Sequence, residues 1–242
     1  MATLLLRLAA PLQSWGDESK YDIRQTRREP SKSGVIGLIA AALGLRRDSD
    51  EIAELSASLR MGVRVEMPGT VIKDFHTARA PKYSSKGEIR YDKAGEIIME
   101  KSPYVTTRYY LSDACFLVGL ESPKNELISR IGEALQAPCF PLFLGRRSCP
   151  PSQPLYLGIR DCSLKESLEK EPWQASEWYR RNHPAPRLRM MLETPRGEKA
   201  WHSLRDEPVS FNPVHRKYSY RGIEPEQYVW INAGAHDPMA EL

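Results

Sequence analysis

The order of the apolar runs constrains this chain more than any single motif does. Thr3–Ala9 is short and apolar, the size of a buried strand. Ser31–Gly44 is predicted as a helix, with Ser31 or Ser33 able to cap its start and Gly44 ending it. Its surface is almost wholly apolar and small, so it should pack tightly on a sheet. A more polar helix is predicted over Asp50–Leu59. Met61–Met67 alternates apolar and polar residues as a half-buried strand does, and Val71–Ala78 continues as another. The pattern then recurs. Tyr104–Leu111 and Ala114–Leu120 read as strands, and Lys124–Gln136 carries Leu127, Ile128, Ile131 and Leu135 at helical spacing. Leu142–Leu144 follows as one more apolar run that reads as a buried strand.

A β-α-β unit, an insertion and a second β-α-β unit predict an α+β chain with a ferredoxin-like or RRM-like sandwich. The core is expected over residues 1–150. It is interrupted at 79–103, where the sequence turns charged, glycine-containing and poor in large aliphatics, as an extruded β-hairpin or arm would be. Between Lys73 and Arg108 there are eight Lys/Arg against five Asp/Glu. Residues 151–242 are expected as an extension, with strands at Leu155–Arg160 and Arg187–Glu193. Between Glu177 and Arg221 the tail holds ten Lys/Arg and five Asp/Glu, interleaved with Trp178, Tyr179, Trp201, Tyr218 and Tyr220. That mixture suits single-stranded nucleic acid or a protein interface.

The net charge of +4 excludes a histone-like polycation, so any nucleic-acid site must come from local clustering. Cys115, Cys139, Cys149 and Cys162 are scattered without a Cys-x-x-Cys pair or histidines at ligand spacing, which argues against structural zinc and for a reduced compartment. No metal or cofactor is expected. Neither a signal peptide nor a membrane span is recognisable, so a cytoplasmic location is expected.

The candidate binding residues gather at the ends of the apolar runs. In Pro141–Pro150 a run stops at Gly145, then Arg146, Arg147 and Ser148 follow, with guanidinium groups and free backbone amides suited to phosphate. Pro11–Gly16 carries Gln13 and Trp15. Trp15 suits stacking on a base and equally suits closing the edge of the core. Arg24, Arg27 and Arg28 lie in a mixed-charge exposed loop spanning 17–30. Lys32 and Ser33 sit at a helix N-terminus, a natural anion site. His76, Arg108 and Tyr109 flank the arm where it leaves the core.

Five stretches in this order resemble a known family: Arg7–Gly16, Pro30–Leu38, Asp74–Thr77, Leu111–Phe116 and Leu144–Pro150. Together they are similar to the CasD-type subunits (Cas five family, RAMP superfamily) of the type I-E CRISPR surveillance complex, Cascade. The resemblance is clear over roughly residues 3 to 155 and loose beyond. It implies a RAMP domain whose arm is a thumb. It also implies a subunit that caps one end of the complex and binds the crRNA 5′ handle, in antiviral defence. The implied protein partners are the neighbouring backbone subunit and the large PAM-reading subunit, with target DNA near the PAM as a further contact. Related type I-C subunits cleave repeat RNA without metal through a Tyr/Lys/His group. Here His76, His183, His202, His215 and His236 have no adjacent lysine, although His76 with Lys73 and a tyrosine could still assemble in space. A non-catalytic binding scaffold is therefore expected, with metal-independent endoribonuclease as the alternative.

Overall fold

The computed structural model describes residues 2–16, 22–184, 187–212 and 214–231. The chain begins with strands β1 (Ala2–Ala9), β2 (Leu12–Gln13), β3 (Trp15–Gly16), β4 (Ile23–Arg24) and β5 (Thr26–Arg27), then helices α1 (Lys32–Ala42) and α2 (Glu51–Ala57). Next come β6 (Arg60–Met67), β7 (Thr70–Ala78), β8 (Tyr104–Ser112), β9 (Cys115–Ser122) and α3 (Asn125–Gln136). The remainder is β10 (Tyr156–Arg160), α4 (Leu164–Lys170), α5 (Glu177–Asn182), β11 (Arg187–Leu192), β12 (His202–Ser210), β13 (Lys217–Ile223) and β14 (Gln227–Trp230).

A six-stranded antiparallel sheet in the order β10-β1-β9-β6-β11-β14 is the frame. On one face the alternate residues Leu4, Leu6 and Leu8 join Ile36 and Ile39 of α1, Ile52 of α2 and Ile128 and Ile131 of α3 in the main core. On the other, Leu5 and Leu117 pack under Leu164 and Leu168 of α4. This second layer explains why β6 is buried along nearly its whole length although its sequence alternates like a one-faced strand.

The run 142–144 is not a strand, contrary to its apolar pattern. Pro138, Pro141, Pro150 and Pro151 bracket it with residues that cannot donate to a ladder. The sheet position beside β1 goes to β10 instead, and Leu144 plugs the core with its carbonyl accepting from Ser14 N at 3.1 Å. Strands β10, β11 and β14 lie in the main sheet, so the boundary expected at residue 150 falls inside a continuous sheet.

β7 and β8 form a long ribbon that leaves this frame, and the arm sits at its tip. The arm repeats every eight residues: Lys82-Tyr83-Ser84-Ser85-Lys86-Gly87-Glu88-Ile89 is followed by Arg90-Tyr91-Asp92-Lys93-Ala94-Gly95-Glu96-Ile97. Each unit makes the same turn. Ser84 Oγ accepts from the amides of Lys86 and Glu88, and Asp92 Oδ1 accepts from those of Ala94 and Glu96. The amide of Lys82 donates to Ile98, that of Ile98 to Arg90 and that of Arg90 to Lys82, closing a ring. The arm is thus a set of three short antiparallel bridges joined by that ring rather than a simple hairpin. No internal repeat is expected from the sequence, and this eight-residue one corrects that expectation.

Candidate nucleic-acid interface

Helix α1 forms because Ser31 caps it, its Oγ accepting from Gly34 N at 3.3 Å, and because its residues are small and apolar. One side is buried on the sheet. The opposite side, with Ser33, Gly34, Gly37 and Ala41, forms the floor of an open cleft of about 1360 Å³. The walls are the 45–48 segment, residues 140–147 and the β12–β13 hairpin. Among the described residues, eight arginines line it: Arg24, Arg27, Arg46, Arg47, Arg146, Arg147, Arg205 and Arg216. The acids that do so among the described residues are Asp48 and Asp206, and Asp206 is ion-paired to Arg221 at 2.6 Å. Phe140, Phe143 and Phe211 add apolar surface among the guanidinium groups. A groove with arginine walls, aromatic rings and a small-residue floor is complementary to a phosphodiester chain with unpaired bases.

Several expected binding residues face this cleft, and others do not. Arg24, Arg27, Ser33, Gly145, Arg146 and Arg147 line it. Arg28 and Ser148 are exposed. Gln13, Trp15 and Lys32 are a correction: all three side chains are fully buried. Gln13 Nε2 donates to the carbonyls of Leu8 and Ala114 at 3.1 and 2.7 Å, and its Oε1 accepts from Trp15 Nε1 at 3.1 Å. Trp15 lies against Gly34 so closely that a Cβ there would stand 2.8 Å from the indole. Of its two readings, closing the core is the one that holds.

Lys32 ends among acids inside the protein, its Nζ 2.8 Å from Glu193 and 3.3 Å from Glu207. Its amide donates to Asp206 Oδ2 at 2.9 Å. The anion at the α1 N-terminus is therefore the chain's own carboxylate, not a ligand phosphate. Burial raises the Asp206 carboxyl, but the Arg221 guanidinium and the Lys32 amide outweigh it and hold the group below the usual carboxylate range.

Arg146 is a clamp more than a free cation. Its Nη1 donates to the Tyr109 carbonyl and its Nη2 to the Arg24 carbonyl, each at 3.1 Å, while the guanidinium lies 4.5 Å from the Tyr110 ring centre. It ties the 145–148 loop to β8 and β4, the latter pairing in parallel with β8. Arg147 is exposed beside it. Tyr109 is half-buried, and Arg108 Nε reaches Thr106 Oγ1 at 3.4 Å. His76 contacts Asp74 at 2.8 Å and the Tyr110 hydroxyl at 3.3 Å on the inner face of the ribbon. Lys73 lies over Phe75 on the other face, since strand residues alternate, so the combination of Lys73 and His76 is not assembled.

Arg46, Arg47, Arg205 and Arg216 were missed. Arg46 and Arg47 look like dipole-complementing residues after a helix, and Arg205 and Arg216 come from a hairpin whose place beside α1 is set by buried charge pairs far apart in sequence. His236 and positions 17–21 of the expected basic loop lie outside the described residues. Among the described residues, no group of three or more His, Cys, Asp or Glu side chains is placed to hold a metal ion, and no helix is long and apolar enough to cross a membrane.

This is a strand-rich α/β protein with an arginine-walled groove. The chain belongs to the family described as CRISPR-associated protein (Cas_Cas5), whose profile matches residues 3–224. It is 35% identical over 158 residues to the CRISPR system Cascade subunit CasD of Escherichia coli (strain K12), a match covering 61% of this chain and 66% of that relative, just under two thirds of its length. Among solved structures, a chain of a CRISPR RNA-guided surveillance complex superposes with a TM-score of 0.73 at 32% identity, covering 99% of this chain and 97% of that one. A crystal structure of a Cas protein gives a TM-score of 0.67 at 37% identity, with 94% of each chain covered.

Proposed function

We propose that this chain is a non-catalytic subunit of a CRISPR RNA-guided surveillance complex and that it holds the 5′ handle of the crRNA in the cleft along α1. The observation that carries the reading is the imbalance of charge there: among the described residues, eight arginines line it against two acids, one of which is neutralised inside the protein. Phosphates would run along the arginine walls, and unpaired bases would meet the phenylalanines and the α1 floor. Family membership and the likeness to a surveillance-complex chain support the assignment.

The frame fits it. Strands β1, β6, β9 and β10 with α1 and α3 follow a βαββαβ order with spatial order β10-β1-β9-β6, the ferredoxin-like arrangement of RAMP domains. The β7–β8 ribbon and its head serve as the thumb. Its exposed Phe75, Tyr83, Tyr91 and Ile97 suit contact with the neighbouring backbone subunit, and the large PAM-reading subunit and target DNA near the PAM remain the other proposed partners. The assembly is a cytoplasmic ribonucleoprotein.

Against catalysis, Lys73 and His76 lie on opposite faces of β7, so a Tyr/Lys/His group is not formed there. Incubating the purified chain with labelled repeat RNA without metal tests both points: salt-sensitive binding with intact RNA is expected. Specific cleavage at the handle boundary would overturn the scaffold reading.

A further inference from the structure

We propose that Trp230, with Tyr228 and Arg187, forms a second nucleic-acid subsite outside the cleft, a stacking platform for one unpaired base of a single strand. β11 and β14 are antiparallel, with Arg187 opposite Trp230 and Arg189 opposite Tyr228, so these four side chains share one face of the sheet. The alternate residues Leu188, Met190 and Val229 pack into the apolar clusters on the other face. That alternation puts the aromatic rings on the face that carries α1, at the β14 edge of the sheet, where they stay exposed. Trp230 is 67% and Tyr228 41% exposed.

The ring geometry is organised rather than loose. The Arg187 guanidinium lies 3.8 Å from the Tyr228 ring centre and 5.9 Å from that of Trp230. Arg189 holds the neighbouring strand ends in place through Glu226 at 3.0 Å and through Glu29. Glu29 sits between Arg28 and the start of α1, so the platform adjoins the α1 end of the arginine cleft. A strand leaving the cleft past Arg28 would meet the open indole of Trp230 next, with Arg187 beside it for a phosphate. Stacking on an exposed ring next to an arginine is indifferent to base identity, so the site would add affinity rather than sequence choice.

The choice of a single strand over a protein rests on this continuity with the cleft and on the local charge. Arg189 is neutralised by its two acids, whereas among the described residues Arg187 faces rings and no acid, which leaves a cation beside the exposed indole. The inference rests on the cleft reading for the identity of the polymer, and oligonucleotide length separates the two. With the full-length chain, affinities are measured for single-stranded RNAs of about four and about twelve nucleotides, within the span of known single-strand grooves. Trp230→Ala should weaken the longer RNA roughly 10-fold and leave the shorter one unchanged, while Trp230→Phe, which keeps a stacking ring, should bind both like wild type. If Trp230→Ala matches wild type on the longer RNA, the platform is wrong, and it is equally wrong if the variant instead loses only a protein partner of the assembled complex. Failure of the wild-type chain to bind the shorter RNA would count against the cleft instead.

Discussion

The amide of Lys32 and the carboxylate of Asp206, 174 positions apart, meet at 2.9 Å beneath the cleft. With Arg221, Glu193 and the Lys32 ammonium they form a buried network that pins the β12–β13 hairpin against the start of α1. Such a network adds little over an apolar core, but breaking it strands a buried charge. Asp206→Asn should therefore destabilise the protein by about 3 kcal/mol, read from chemical unfolding at neutral pH. The pH dependence has a definite sign. Because the folded carboxyl lies below its ordinary value of 3.8, its stabilisation is present above that pH and lost as pH falls through the lower folded value. Wild type and variant should converge in acid.

Gly145 meets a different constraint. It has φ +92°, and a Cβ there would stand 1.7 Å from the Ser14 carbonyl oxygen. Backbone cannot yield as a flexible side chain would, so Gly145→Ala should cost at least about 2 kcal/mol from the left-handed conformation and the displaced turn. A thermal melt and RNA affinity measured together should both fall, because the same turn carries Arg146 and Arg147.

Arg146 and Arg147 are adjacent in sequence and should separate in experiment. Arg147→Ala removes an exposed cation from the cleft wall, so the salt-dependence slope of RNA binding should drop by about one with the melting temperature unchanged. Arg146→Ala should lower the melting temperature as well, since it frees two carbonyls and uncovers Tyr110. Arg146→Lys should fail to rescue it, because a point charge cannot bridge two carbonyls and lie on a ring.

The difference between these two arginines shows what local sequence carries. Strand and helix order was legible because it depends on period and capping: β1, α1, α3 and β9 stand within a residue or two of the positions that their apolar patterns predict. The Leu142–Leu144 run has the same composition as a strand but lost the sheet position to β10, a competition that no local pattern encodes. In the site, the arginine-rich 24–28 and 145–147 segments were legible as basic loops. Whether each side chain faces a ligand or the interior was not. Lys32 looks like an anion-binding residue until Glu193 and Glu207 arrive from more than 160 positions away, and Gln13 looks polar and exposed until the carbonyls of Leu8 and Ala114 claim it. The hairpin supplying Arg205 and Arg216 shows no helix or strand periodicity strong enough to place it, because its faces are divided between buried ions and solvent.

The cysteines give a test of packing that does not involve RNA. Burial pushes the Cys115 thiol up to about 12, and Cys149 is raised for the same reason, whereas Cys139 is exposed. Since the thiolate is the reactive form, Cys139 should be alkylated quickly by a maleimide at neutral pH while Cys115 and Cys149 stay protected. Mass spectrometry of the native protein should find label on Cys139 first, with Cys115 and Cys149 labelled only in denaturant. Rapid native labelling of Cys149 would mean that the 142–150 segment opens, because Cys149 is held there by its amide to Arg146 O at 2.9 Å and by its carbonyl, which accepts from Leu144 N at 2.8 Å. That outcome would remove the fixed turn from which Arg147 is presented to the cleft.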